Sequence, residues 1–476
     1  MKNKLIFIFS FCFLQLGLSQ NPEDKIPKNF SLEEAIAFAL ENNRTAKNAA
    51  RDIKAAEKQK WETTATGLPQ INAQIDYQNF IKQPVSLLPA SAFDPYNQIR
   101  QLDDFYDLSS LPVIDQIPAA PRPDEFIPVV FGTKQSVNAN ATLTQLIFDG
   151  SYLVGLQSAK VFLEISKNAK EKTDLQVRQS VINAYGNVLL SEESVTILER
   201  NKATLEKNLF ETKKIFENGL TEEEDVEQLE ITLASVESNL RNVERLRDLS
   251  YKMLNIAMGI DLNHDTKLTD SLQELTMQNM APSILLVEDD VTQTVDYKIA
   301  ANDKHSKELL LKLEKSKALP TLSGFLTGGY NGNANSFDFF NKEQRWFGTA
   351  AFGFNLSIPI FSSLKRSAAT QRAQINLEKA EDGLVEVEQQ LKLQIDAAKS
   401  DYQLAIEEYE TAKKNLHLSE RIEKKNQVKF FEGVGSSFEL RQAQTQLYAA
   451  QQEYLQTMLD VINKKAALET ILSQTN

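Results

Sequence analysis

The sequence predicts an α+β fold in which a few strands of membrane length alternate with very long helices, the whole plan used twice. Three observations predict it. Ser136 to Phe148 (SVNANATLTQLIF) puts Val137, Ala139, Ala141 and Leu143 on one side and Ser136, Asn138, Asn140, Thr142 and Thr144 on the other. That alternation is the mark of a half-buried strand. Ser151 to Glu217 then runs for almost 70 residues without a proline, roughly 100 Å of helix at about 1.5 Å per residue. The same junction returns as NLSIPIFSS, Asn355 to Ser363.

The chain opens with Lys2 and Lys4, the apolar run Leu5 to Leu18 and the small Ser19. This reads as a secretory signal over 1–20. The run is short for a bilayer core of about 30 Å, which argues against an uncleaved anchor. Removal of the two lysines takes the formal charge from −13 to −15. Cys12, the single cysteine, lies inside this segment, and Phe9-Ser10-Phe11 before it does not resemble a lipobox. The mature chain is expected to have no disulfide or thiol chemistry. The acidic balance excludes nucleic acid, which needs a basic patch. No later stretch holds 18 consecutive apolar residues, so any crossing of a membrane must use strands.

The first repeat is read over 21–258. Ser31-Leu-Glu-Glu34 is a capping box, opening a helix expected to reach Thr66. Gly67-Leu-Pro69 ends it. Ile71, Ala73, Ile75 and Tyr77 then alternate with polar residues as a strand. Residues 81–133 hold eight of the fourteen prolines and scattered aromatics. They are read as a long extracellular loop joining two antiparallel strands, or else as an idle insertion. After the strand and long helix already described, Asn218-Gly219 stops the helix. Thr221-Glu-Glu-Glu224 is a second capping box, so a second helix runs back to Met258 and the tip of the hairpin falls near 218–221.

Residues 259–290 have weak periodicity and read as an equatorial connector outside the membrane. The second repeat, 291–476, follows the same order: a helix, Leu319-Pro320, strands over 319–330 and 346–360, and another long helix. Trp346 and Phe347 sit where an interfacial aromatic girdle would fall. Leu384, Val387, Leu391, Ile395, Ala398, Tyr402, Ala405 and Tyr409 step by three or four, as in helix-on-helix packing. The tip is expected near 433–437, with Ser436-Ser-Phe-Glu439 as its capping box. Phe148 to Gly219 spans 71 positions and Phe361 to Gly433 spans 72. Self-similarity on this scale means one structural unit used twice.

Four strands cannot close a barrel with an interior, and membrane strands cannot leave open edges. The chain must therefore pool its strands with other copies. The helices leave one end of those strands and would form a second, stacked tube.

At this point the sequence resembles the TolC-like outer-membrane efflux proteins over its whole mature length. The resemblance rests on the duplicated strand–helix–turn–helix plan, on Leu146-Ile-Phe-Asp-Gly150 and Pro359-Ile-Phe-Ser-Ser363, and on the tips Gly219-Leu-Thr and Gly433-Val-Gly-Ser. It also rests on Ala443-Gln-Thr-Gln-Leu-Tyr448. It implies a homotrimer, with a 12-stranded barrel in the outer membrane of a Gram-negative bacterium continuous with a 12-helix coiled-coil barrel in the periplasm. It implies docking to a periplasmic adaptor (a membrane fusion protein) and an inner-membrane pump of RND or ABC type, in efflux or type I secretion, with passive conduction and no catalysis.

The resemblance also marks site residues. Carboxylates just past each turn narrow the closed periplasmic end in such channels. Asp225 matches one position and Glu439 another, while a further family aspartate falls on Gln442 here. Threefold repetition brings Asp225 and Glu439 together as six acids. The plain alternative is that both only favour a helix N-terminus. Gly219, Leu220, Thr221, Gly433, Val434, Gly435 and Ser436 are the adaptor-contact candidates, and turn chemistry alone also accounts for the glycines. Glu222 to Asp225 reads as a solvated helix start rather than a cation site. His264, His305 and His417 lie far apart with no ligand spacing, so no metal or cofactor is assigned, and no nucleophile arrangement is found.

A soluble periplasmic coiled-coil adaptor or structural rod is the competing reading. It accounts for the helices but not for the alternating strands. Drug efflux, metal efflux and protein secretion all share this architecture, so the cargo stays open.

Overall fold

The computed structural model describes residues 27–106, 116–122, 124–286 and 290–474. The expected signal segment 1–20, with Cys12, lies outside the described residues. In chain order the regular elements are β1 (Asn29–Phe30), α1 (Leu32–Asn42), α2 (Arg44–Ala65), β2 (Gln70–Asn79), β3 (Val85–Pro89), α3 (Asn97–Tyr106), β4 (Phe126–Val130), β5 (Gln135–Asp149), α4 (Gly150–Glu217) and α5 (Glu223–Met258). They continue with β6 (Lys267–Leu268), α6 (Leu272–Asn279), α7 (Val295–Ser316), β7 (Thr321–Ala334), β8 (Trp346–Ser357), α8 (Lys365–Phe431) and α9 (Ser437–Leu472). Short 3₁₀ turns lie between some of them.

One compact unit comprises Gln59–Ser158 and Leu309–Ala373. It holds a four-stranded antiparallel sheet in the order β2-β5-β7-β8. The register sets Ile71, Leu143, Leu326 and Phe352 in one row across the sheet, and Ile75, Ala139, Tyr330 and Gly348 in another. The opposite face carries Asn72, Thr142, Thr327 and Ala351, then Gln74, Asn140, Gly329 and Thr349. Thr142 and Thr327 share a hydrogen bond of 2.9 Å there. Between β7 and β8, four glycines stand directly opposite aromatics: Gly324 and Phe354, Gly353 and Phe325, Gly348 and Tyr330, Gly332 and Trp346. A Cβ on Gly353 would lie 2.8 Å from the Phe325 ring. Each ring covers a bare stretch of backbone, as aromatics do over strand glycines.

The described residues of the proline-rich stretch include regular elements that the expected loop did not. β3 and β4 pair antiparallel from Val85 with Val130 to Pro89 with Phe126, and α3 lies between them in sequence. A two-stranded ribbon consists of edges only, so Pro89 and Pro128 can sit on sides where no donor is needed.

The second unit comprises Met1–Lys58, Ala159–Glu308 and Gln374–Asn476. Its core gathers Phe30, Val181, Tyr185, Leu254, Met258, Ile395, Tyr402, Ile462 and Leu468, all fully buried. The helix expected from Ser31 to Thr66 is two helices. The Ser31 box forms: the Glu34 N–H donates to Ser31 Oγ at 3.3 Å and the Ser31 N–H to Glu34 Oε2 at 2.9 Å. The break comes at Asn43, whose side-chain oxygen accepts from the Thr45 N–H at 2.8 Å and so caps α2. Its amide donates to the Ala257 carbonyl at 2.8 Å. Next to it, Gly259 closes α5 at φ +79°, and a Cβ there would lie 2.5 Å from the Asn42 carbonyl oxygen. Only glycine fits that approach.

The stretch 259–290 is tied to the start of the described chain. β6 pairs in parallel with β1. The Tyr185 hydroxyl reaches the Phe30 carbonyl at 3.0 Å and Asp270 Oδ2 at 2.9 Å, and the Leu32 N–H donates to the same carboxylate oxygen at 2.7 Å. Burial pushes the Tyr185 phenol well above its usual range, so it serves as a hydrogen-bond donor. Arg178 on α4 pairs with Glu469 on α9 at 2.6 Å, and both side chains are largely buried.

Candidate functional site

The sheet is two-faced and unfinished. Ile71, Ile75, Phe352 and Phe354 stand more than two-thirds exposed on the apolar face, while the other face is mostly amide, hydroxyl and glycine, with Phe325, Phe347 and Ala351 set among them on β7 and β8. β2 has a partner on one side only, and so does β8. Long unpaired edges beside an apolar face cannot exist in hydrocarbon unless other strands complete them. Among the described residues no helix is long and apolar enough to cross a membrane.

The two long helices have 68 and 67 residues, and both end in the same motif. At the first tip the Gly219 N–H donates to the Phe216 carbonyl at 2.7 Å and the Leu220 N–H to the Ile215 carbonyl at 3.1 Å. At the second, the Gly433 N–H donates to the Phe430 carbonyl at 3.1 Å and the Val434 N–H to the Lys429 carbonyl at 2.9 Å. These are paired Schellman closures, with Gly219 at φ +73° and Gly433 at φ +72°. A side chain on either glycine would meet open space. Gly435 differs: a Cβ there would lie 2.9 Å from the Lys429 Cβ. Leu220 and Val434, at the same step of the motif, are 79% and 76% exposed. Each tip therefore offers one apolar side chain to solvent from a fixed turn.

The return helices begin differently. Ser436 caps α9, accepting from the Glu439 N–H at 3.2 Å. The capping box expected at Thr221 does not form. Glu222 is the N-cap of α5 without a side-chain bond, because the Thr221 hydroxyl bonds the Asp225 carboxylate instead. Asp225 is half-buried at its tip and Glu439 is exposed at the other. Each is followed by a buried apolar residue, Val226 and Leu440. No ion pair or hydrogen bond among the described residues joins the two acids.

Behind the tips the helix packing holds polar side chains that sequence reading passed over. Gln427 donates to Asn208 at 3.1 Å and Asn201 to Gln451 at 2.8 Å, linking the two hairpins. Gln444 is fully buried within the stripe Leu440, Ala443, Leu447. Beside it, burial pushes the Glu423 carboxyl above the usual carboxylate range, with the Gln444 amide opposing. A polar residue at an apolar heptad position is the signal that marks Gln444.

Strand sheet, long hairpins and matched tips make up a fold similar to that of known outer-membrane channel proteins. Residues 309–474 match the family described as outer membrane efflux protein. The outer membrane protein TolC of Vibrio cholerae is 23% identical over 249 residues, 50% of this chain and 54% of that protein. The chain thus matches about half the length of this curated relative. Its fold is similar to crystal structures of CusC (TM-score 0.70, 16% identity, covering 94% of this chain and 92% of that one). It is also similar to the Campylobacter jejuni CmeC outer membrane channel (TM-score 0.67, 16% identity, covering 96% and 90%).

Proposed function

We propose that this protein is an outer-membrane exit duct, conducting substrates passively from a periplasmic adaptor and an inner-membrane pump to the exterior of a Gram-negative cell. The observation that carries the reading is the sheet: one apolar face, one polar face and two open edges. Three copies would complete it as a 12-stranded barrel with the apolar face towards lipid and the polar face lining a pore. The long helices α4 and α8, each roughly 100 Å long, would form the periplasmic tunnel with the return helices α5 and α9. The exposed apolar face also speaks against a soluble adaptor.

The tips are the adaptor-facing surface in this reading, through Gly219, Leu220, Thr221, Gly433, Val434, Gly435 and Ser436. Asp225 and Glu439 form the acidic constriction at the tunnel end, and residues 81–133 are extracellular. The pump is of RND or ABC type, and the cargo follows from the pump. The test is twofold. Purified protein in planar bilayers should conduct ions as a heat-sensitive trimer, and loss of the protein should sensitise cells to the substrates of one pump. A soluble monomer without conductance would end the reading.

A further inference from the structure

The duplication supplies an internal comparison at the strand-to-helix junctions. In the first repeat β5 passes into α4 inside the sheet, next to the end of α7. That junction is covered within the chain. A Cβ on Gly150 would lie 2.6 Å from Leu319 Cδ1 and 3.1 Å from the Ser316 carbonyl oxygen. The Ser316 and Ser151 hydroxyls are 3.5 Å apart. Lys312 Nζ donates to Gln157 at 2.7 Å. In the second repeat β8 passes into α8 at the edge of the sheet, where no further strand follows.

The edge junction is built differently. Two consecutive residues other than glycine, Ser363 and Leu364, hold φ of +47° and +64°, a strained conformation for L-residues. Arg366 clamps the turn, donating to the Pro359 carbonyl at 2.7 Å, the Ile360 carbonyl at 3.2 Å and Ser362 Oγ at 3.2 Å. The result is a fixed knuckle that holds Ile360, Phe361 and Leu364 in solvent, 88%, 83% and 75% exposed. Its counterpart in the first repeat, Phe148, is 37% exposed. Strain maintained in order to present bare apolar side chains points to a partner.

The repeat also indicates which partner. Leu68-Pro69 precedes β2 as Leu319-Pro320 precedes β7, an offset of 251 positions. The same offset places Trp61 on Lys312 and Ala65 on Ser316. Aligned on Phe148 and Phe361, Leu364 falls on Ser151; counted back from Gly219 and Gly433, it falls on Gly150. Either way it takes the place that Leu319 and Ser316 cover inside the chain. β2 is the other open edge, and its first residues lie at the same end of the sheet as the last residues of β8. Trp61 and Leu68 are 63% and 44% exposed. The polar residues of the covered junction are replaced by apolar ones at the open junction: Lys312 by Trp61, Ser316 by Ala65, Ser151 by Leu364.

We propose that this knuckle is a lock between copies: Ile360, Phe361 and Leu364 of one protomer pack onto Trp61 and Leu68 of a second copy where β8 of one meets β2 of the next. The lock rests on the trimeric reading above and adds the surface that joins neighbours at the helix-bearing end of the barrel. The full chain carrying both Leu68→Cys and Ser363→Cys tests it, since Cys12 is its only native cysteine. Oxidation in membranes should give a covalent ladder ending at the trimer, absent from either single variant. In a Trp346→Phe background Trp61 is the only tryptophan, and its emission should resist quenching by lipids brominated on their acyl chains. A trimer by native mass without the ladder overturns the lock, and quenching of Trp61 would then identify lipid as the occupant. Absence of a trimer by native mass overturns the channel reading and the lock with it.

Discussion

Gly433 sits at φ +72° with open space where a side chain would be, so its substitution separates backbone from surface. A glutamate there carries roughly 1 kcal/mol of backbone strain and places a charge on the tip. Gly433→Glu is expected to abolish export while trimers still assemble on gels. Gly433→Asn, which tolerates the left-handed region, should retain export. Normal export in the Gly433→Glu strain would remove the tip from the docking surface. Glu423 gives a second prediction. Its carboxyl, raised above its unfolded value by burial, is held charged at a cost above the folded pKa. The cost shrinks as pH falls through that value and is gone below the unfolded one. Glu423→Gln should therefore raise the unfolding temperature at neutral pH, with the difference from wild type shrinking as the medium is acidified. A difference that stays constant with pH would show that Glu423 is not the group responsible. Local chemistry was readable where one residue decides it: Ser31 and Ser436 both cap helices. It was not readable at Thr221, whose hydroxyl had a choice between a backbone N–H and the Asp225 carboxylate, a contest settled only by the turn before it.

The sheet was legible as an element because alternation is a local property. Val137, Ala139, Ala141 and Leu143 share a face whatever lies beside them. That yields a prediction at this scale. Phe352→Arg, on the apolar face in mid-strand, should cost about 2–4 kcal/mol at the bilayer midplane, seen as a lower urea midpoint for folding into vesicles. Thr142→Arg, on the polar face, should leave folding intact and lower cation conductance in planar bilayers. Equal destabilisation by both would contradict the assignment of faces. The helices were legible through the missing prolines and the glycine stops. The break at Asn43 was not, because asparagine is admissible in a helix and caps α2 only once Ala257 is near enough to take its amide. The β3–β4 ribbon was hidden by its prolines, which a two-stranded pairing tolerates and a wider sheet would not.

For the molecule as a whole, the long helices gain most of their order from packing rather than propensity. Arg178 and Glu469, 291 residues apart, form one of the joints between α4 and α9. Arg178→Ala leaves the buried Glu469 carboxylate to Lys465, 3.5 Å away, and should cost more than about 1 kcal/mol in chemical denaturation but less than the roughly 3–5 kcal/mol of a fully unpaired buried charge, while Lys213→Ala, which loses an exposed pair with Glu230, should cost less than about 1 kcal/mol. By itself the sequence determined the four strands of the main sheet, their alternation, the lengths of the two long helices, the tips and their duplication, because each depends on periodicity, on proline and glycine, or on repeated spacing within one stretch of chain. Only the tertiary structure decided what those elements meet: that Lys267–Leu268 pairs with Asn29–Phe30, that Gln444 is buried, and that the edge junction is a clamped apolar knuckle while the interior junction is covered. Those outcomes depend on atoms from segments far apart in sequence arriving at one place, and no local pattern encodes them.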